Sequence, residues 1–200
     1  VAIYLKFFKK INSYMIVRNY PQKHYRKSID MYIFKIISNY CIKKIITVSD
    51  SLKYSMIEMS GFKKEKIFRI YNGISIKNKF NKNFIKNYSD KSVGIIGSLE
   101  ERKGHKLLFK AWEKVVKTVP NCKLYVVGSQ TSGNKENLIT YAKQLKIENS
   151  IIWMGYQSEI ANVYNNLNIV VMPSIVNESF GRVAIEAMAF NTPIIASKTG

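Results

Sequence analysis

A chain of 200 residues can form one domain with a full core or parts of two, and a hydrophobic share of 46% calls for a packed globular interior. The 32 Lys and Arg against 13 acids give a net charge of +19, spread among Asn and Ile rather than gathered in a basic tail. That charge is compatible with nucleic acid, an anionic membrane face or a phosphorylated substrate, and equally with a compositional bias that carries no function.

Cys41 and Cys122 are too few and too isolated for a disulfide framework or a zinc site with paired ligands, and they fit a reducing, cytoplasmic setting. No run approaches the ~20 apolar residues of a membrane span, and the start "VAIYLKFFKK" lacks the order of a signal peptide, so a soluble or peripheral protein is expected. The absence of an initial Met and the end at "IIASKTG" are read as cut ends.

In chain order, "VAIYLKFFKKI" spaces its apolar residues as a helix does, and "SYMIV" reads as a buried strand running to Arg18-Asn19-Tyr20-Pro21. From Lys27 to about Cys41, Ile29, Tyr32, Ile33, Ile36, Ile37 and Tyr40 recur at three and four and predict a helix. "KKIITVSDS" is a strand, and Ser49 or Asp50 caps a helix over "SLKYSMIEMSG" that Gly61 ends. "KIFRIYNG" is a strand closed by Asn72-Gly73, after which "ISIKNKFNKNFIKNYSDKS" loses all periodicity and reads as a linker.

The alternation then resumes, with strands "SVGIIGS", "CKLYVVGS", "SIIWMG", "NIVVMPS" and "PIIAS". Helices lie between them, from about Gly104 to Thr118, around Glu136 to Leu145, over "SEIANVYNN" and over "RVAIEAMAF". Short apolar strands separated by amphipathic helices predict parallel sheets covered on both faces. The expected class is α/β with two Rossmann-like domains, residues 1–90 with the linker and residues 91–200. Ligands of such sheets sit beyond the carboxyl ends of the strands.

Three strand ends of the second block carry candidate chemistry. In "IGSLEERKGH", Gly97 leaves the strand and Lys103-Gly104 open a helix, so backbone N–H groups and a lysine face one ligand; as an alternative Gly97 is only a turn and Lys103 solvated. His105, just inside the helix start, is read as an ordinary surface histidine. In "IIWMGYQSE", Gly155 and Tyr156 stand where backbone and ring can meet a flat base, and Trp153 is assigned to the core.

In "NESFGRVAIEAMA" a loop carries Glu178, and Phe180-Gly181-Arg182-Val183 start a helix whose first amides suit a phosphate or pyrophosphate. Glu186, ~6 Å further along the axis, lies on the side of Arg182 and Val183 and can accept two sugar hydroxyls. The pattern describes a nucleoside diphosphate with its ribose on Glu186 and a further group near Glu178; the alternative is a dipole partner and a solvated helix residue.

"ESFGRVAIEAMA", together with "ITVSDS", "IYNGI", "GSLEERKGH", "LYVVG", "WMG" and "VVMPS" in that order, resembles the family-4 retaining glycosyltransferases, whose fold is the two-domain GT-B type. The resemblance implies two Rossmann-like domains facing across a cleft, both incomplete here, and a fragment of a longer protein. It implies that Glu186 holds the ribose, the amides from Phe180 to Val183 hold the diphosphate and transferred sugar, Lys103 pairs with phosphate, and Glu178 sits against the transferred sugar.

The chain departs from the family pattern at Ser98, where an arginine is usual and where Arg102 is the nearest substitute, and at Arg18-Asn19, where a histidine is frequent and polysaccharide-type members have Arg-Asn-x-Pro. The implied reaction moves a sugar from a nucleotide-diphosphate donor to a saccharide or lipid-linked acceptor hydroxyl, with retention, in cell-surface polysaccharide or glycolipid synthesis. Asp occurs only at 30, 50 and 90, so no Asp-x-Asp metal site exists and the reaction is expected to need no metal or other cofactor.

Rival readings are a non-catalytic nucleotide-sugar-binding relative or inactive fragment, a glycosidase using the two carboxylates, and a nucleic-acid binder, for which no basic-aromatic module is visible. Interleaved basic and apolar residues in "YLKFFKKINSY" and "KHYRKSIDMYIFKIISNYCIKK" predict a peripheral place on the inner face of the membrane. Residues 74 to 92 are the expected hinge of a closing cleft.

Overall fold

The computed structural model describes residues 12–20, 36, 39–60, 62–74, 88, 91–129 and 134–200. The chain forms two compact units, Val1–Gly73 with Asn177–Phe180 and Gly200, and Ile74–Val176 with Gly181–Thr199. The helix expected over residues 1–11, most of that expected over 27–41 and most of the expected hinge lie outside the described residues; residues 39–41 are helical.

The first unit holds a parallel sheet of β1 (Ser13–Val17), β2 (Ile42–Thr47) and β3 (Ile67–Arg69), in that order. Helix α1 (Asp50–Ser60) starts where the Ser49 hydroxyl accepts the Leu52 N–H at 3.1 Å, which settles the cap on Ser49. Leu52 and Met56, one turn apart, then fall on the face that packs on Ile45, Val48, Phe62 and Ile67.

The second unit alternates β4 (Ser92–Ile96), α2 (His105–Thr118), β5 (Lys123–Val127), α3 (Asn134–Gln144), β6 (Ile151–Gly155), α4 (Ile160–Asn166), β7 (Ile169–Met172), α5 (Arg182–Ala189) and β8 (Ile194–Ala196). All five strands are parallel, in the order β6-β5-β4-β7-β8. The uninterrupted apolar run of β5 has a direct cause, since successive side chains enter different cores. Leu124 and Val126 join Phe109, Trp112 and Leu138, whereas Tyr125 and Val127 join Val163, Tyr164 and Phe190 on the other face.

The chain works outward from β4 to β6, then returns to place β7 against the other side of β4, so the order reverses between β4 and β7. That reversal is where open α/β sheets leave a crevice for ligands. Ser92 is no part of a hinge: it opens β4, buried, with its N–H on Asn168 Oδ1 at 2.9 Å and its hydroxyl oxygen accepting the Asn168 N–H at 3.2 Å. Tyr88, inside the stretch read as linker, stacks on Tyr125 with ring centroids 4.1 Å apart.

His105 corrects the reading of a surface residue. Gly104 caps α2 in a left-handed conformation (φ 73°), which turns the first helical side chain inward, and His105 is only 2% exposed. Burial pulls its pKa from the usual 6.5 down to about 4, with the Lys103 charge in the same direction and the Glu100 carbonyl opposing. Its stability contribution is therefore complete above pH 6.5 and is lost as the pH falls toward 4, by about 3 kcal/mol in total. Unfolding by denaturant at pH 7, 5.5 and 4 should show this loss in the native chain, and His105→Leu should flatten the profile by about that amount.

Candidate functional site

At the carboxyl edge of the second sheet, Gly97, Gly128 and Gly155 follow β4, β5 and close β6. Gly97 N–H bonds the Val127 carbonyl and Gly128 N–H the Gly155 carbonyl, each at 2.8 Å, so neighbouring strand ends stay in close register without side chains between them. Beside this row a recess of about 230 Å³ is lined by Leu99, Val126, Gly128, Ser129, Gly155 and Tyr156, with Trp153 and Lys135. Tyr156 is 76% exposed, leaving its ring available to a planar group, while Trp153 packs edge-on to Phe109 in the core.

After Gly97 the chain makes a short turn over Glu101–Lys103, with Lys103 N–H on the Glu100 carbonyl at 3.0 Å. The Lys103 stem lies over Gly97: a β-carbon placed there would meet Cδ and Cε at 3.8 Å. The Lys103 stem thus lies at the end of β4. Ser98 donates its hydroxyl to Glu100 Oε1 at 2.7 Å, and Arg102 Nε pairs with Glu100 Oε2. The bond from Arg102, then that from Ser98, holds the Glu100 carboxyl below the usual carboxylate range, so it is charged at neutral pH.

The turn is locked to the loop that follows β7. Ile175 N–H bonds the Arg102 carbonyl at 3.0 Å, and a β-carbon on Gly104 would stand 1.9 Å from the Pro173 carbonyl oxygen. With φ at 73°, position 104 is open to glycine alone on both counts. The two loops that flank the topological reversal are therefore tied to each other by a hydrogen bond and a close backbone contact.

Helix α5 begins at Arg182 after Gly181, whose φ of 74° sets the chain's entry, and Ala184 N–H closes the first turn on the Gly181 carbonyl at 2.9 Å. Val183 packs partly into the core, and Arg182 points outward, its side chain 72% exposed. One turn on, Glu186 is 9% exposed. Its Oε2 accepts the Tyr164 hydroxyl at 2.9 Å and its Oε1 accepts Arg182 Nε at 2.7 Å. Each oxygen keeps a lone pair, so a carboxylate fixed on both sides can still take two further donors.

Tyr164 is fully buried, stacks on Phe190 at 5.3 Å and takes the Thr192 hydroxyl on its backbone carbonyl at 2.9 Å. Burial first and the Glu186 carboxylate second raise its hydroxyl far above its usual range, so it remains a donor at every working pH.

The structure thus gathers Gly97, Ser98, Arg102, Lys103, Gly155, Gly181, Arg182, Val183 and Glu186 into the second unit, at or beyond the carboxyl ends of its strands or in the helix that follows β7. Glu178 and Phe180 group with the first unit. There Glu178 is half-buried and Phe180 packs against the core of that unit, 6.2 Å from the Tyr71 ring.

Two contributors escaped the sequence reading. Tyr164 has no role in the sequence reading beyond its place in the helix over "SEIANVYNN"; its need for an acceptor follows from its burial, which the sequence does not display. Glu100 lay in an unpatterned acidic pair, and only its spacing of two residues from both Ser98 and Arg102 pointed to a shared bond.

Residues 76–200 match the model of the glycosyl transferases group 1 family. The capsular polysaccharide biosynthesis glycosyltransferase CapM of Staphylococcus aureus is 30% identical over 178 residues, covering 84% of this chain and 46% of that protein. The glycosyltransferase MJ1607 of Methanocaldococcus jannaschii is 28% identical over 183 residues, with 85% and 46% covered. The chain thus spans about half the length of these curated relatives. Among solved structures, Anabaena Alr3699/HepE in complex with UDP and glucose superposes with a TM-score of 0.87 at 22% identity, over 100% of this chain and 56% of that one. The likeness establishes the α/β fold of the GT-B glycosyltransferases.

Removing the Tyr164 hydroxyl leaves a buried carboxylate short of one donor. Tyr164→Phe should cost about 1.5–3 kcal/mol of unfolding free energy at pH 7, read by denaturant melts. Tyr164→Phe combined with Glu186→Gln should cost less than the two separate losses summed.

Proposed function

The chain belongs to the glycosyl transferases group 1 family, and on that footing we propose that it forms the donor-binding part of a retaining glycosyltransferase. The whole enzyme moves a sugar from a nucleotide-diphosphate donor to a hydroxyl of a saccharide or lipid-linked acceptor, in cell-surface polysaccharide or glycolipid synthesis. The observation that carries this reading is the buried Glu186 carboxylate, one turn inside α5 and held by Tyr164 and Arg182. A carboxyl group held in place on both oxygens at a buried position, with lone pairs to spare, suits the vicinal hydroxyls of a ribose.

The other roles follow the charge along the donor. Lys103, whose stem crosses Gly97 at the end of β4, and the first amides of α5 at Gly181, Arg182 and Val183 receive the diphosphate, with the Phe180 amide preceding them. The recess beside Gly155 and Tyr156 takes the base. HepE, solved with UDP and glucose, supports a uridine nucleotide, and CapM supports a polysaccharide acceptor.

In the transfer the bond between the sugar's anomeric carbon and the diphosphate oxygen breaks, a bond to the acceptor oxygen forms on the same face, and the acceptor's hydroxyl proton passes to the departing diphosphate. Negative charge grows on the departing diphosphate, to which Lys103 and the helix-end amides are assigned, so that fixed dipoles rather than reorganising water stabilise it. Positive charge grows on the sugar ring, and Glu178 is assigned to it. These groups neutralise the leaving group with no metal or other cofactor. The basic surface favours work at an anionic membrane face on the cytoplasmic side, where lipid-linked acceptors are found.

Full-length protein supplies the tests. Glu186→Ala should weaken UDP binding about 10- to 100-fold by calorimetry, the range for bonds to a charged group. Glu178→Ala should leave UDP affinity within about twofold and slow transfer by about two orders of magnitude. Transfer should persist undiminished in EDTA. Wild-type affinity and rate in both variants would refute the assignment, and binding without any turnover of a nucleotide sugar would make the protein a non-catalytic relative.

A further inference from the structure

We propose that Glu100 is an internal counter-anion of the donor subsite, competing with the donor's diphosphate for Ser98 and Arg102. The inference rests on the donor-site reading above and adds to it a residue that weakens, rather than strengthens, the hold on phosphate.

The geometry is that of an anion already in place. Glu100 presents Oε1 to the Ser98 hydroxyl at 2.7 Å and Oε2 to Arg102 Nε. Ser98 is the first residue past Gly97, the glycine that the Lys103 stem crosses. One carboxylate therefore engages the hydroxyl and the guanidinium nearest the end of β4, where the diphosphate is assigned. Arg102 is not a spare cation for that diphosphate while this pair stands; its charge is already cancelled.

The backbone beneath the pair does not yield. Leu99 is buried, its N–H bonds the Ser129 carbonyl at 3.3 Å and its carbonyl accepts Asn134 Nδ2 at 2.5 Å. The Arg102 carbonyl is taken by Ile175 N–H at 3.0 Å. Exchange between bound and unbound states is thus a matter of side chains, and these are accessible, Arg102 at 45% and Glu100 at 39%. An ion pair so exposed is weak and screened, so a diphosphate of higher charge can displace it. Its cost to the donor is a constant reduction in affinity, which also eases departure of the nucleoside diphosphate after transfer.

The test uses full-length protein, titrated calorimetrically with UDP and, separately, with inorganic pyrophosphate, which reports the phosphate subsite without the base. Glu100→Gln should bind both probes about two- to fivefold more tightly, with a lower KM for the sugar nucleotide and an unchanged melting temperature. Glu100→Asp, which retains the charge, should stay near the wild-type affinity. In Glu100→Gln/Arg102→Gln the gain should disappear, because the cation it released is gone. If Glu100→Gln lowers the melting temperature, Glu100→Ala takes its place.

Equal or weaker binding by the uncharged variants, or a gain that survives loss of Arg102, overturns the proposal. Lys103→Gln separates it from its premise. If Lys103→Gln weakens both probes while Glu100→Gln changes nothing, the donor site stands and the counter-anion falls; if wild type binds neither probe, both fall.

Discussion

The constraint on which the second unit depends is that all five of its strands run the same way. Parallel strands need a crossover each, the crossovers become helices on both faces, and every carboxyl end is delivered to one edge. Chemistry then collects there because the backbone has nowhere else to turn. Gly97, Gly128, Gly155, Pro173 and the start of α5 are all products of that geometry before they are candidates for binding.

Within this frame, the placement of one charge organises the interior. A carboxylate at 9% exposure has lost most of its water and is tolerable only with donors supplied by the protein. Tyr164 and Arg182 supply them from opposite environments, the first from the fully buried core and the second from the surface. Glu186 is in this way held at the boundary between core and solvent, where a ligand hydroxyl can reach it without opening the fold. The stacking of Tyr164 on Phe190 and the Thr192 bond to its backbone make that support part of the packing rather than an added contact.

Much of the architecture was legible in the sequence because short apolar runs and helical spacings are local patterns. Strand and helix positions in the second block agree with the reading to within a residue or two, and the "ESFGRVAIEAMA" stretch pointed to the right helix start. What stayed hidden depends on contacts between distant segments. The burial of His105 follows from the left-handed Gly104, whose necessity is set by Pro173 nearly seventy positions away. Tyr88 stacks on Tyr125 from a stretch with no periodicity of its own. Glu100 could be counted as an acid but not as the partner of both Ser98 and Arg102, since a loop has no period to align them.

The union of Gly104 with Pro173 bears on how such proteins can be recombined. The turn at residues 98–104 and the loop at 173–175 share a hydrogen bond and a contact with no room for a methyl group. They therefore behave as one inherited module although they are distant in the chain. A chimera that exchanges the loop after β4 between relatives must carry the loop after β7 from the same parent. A crossover placed between them would join two halves whose backbones were never shaped to each other.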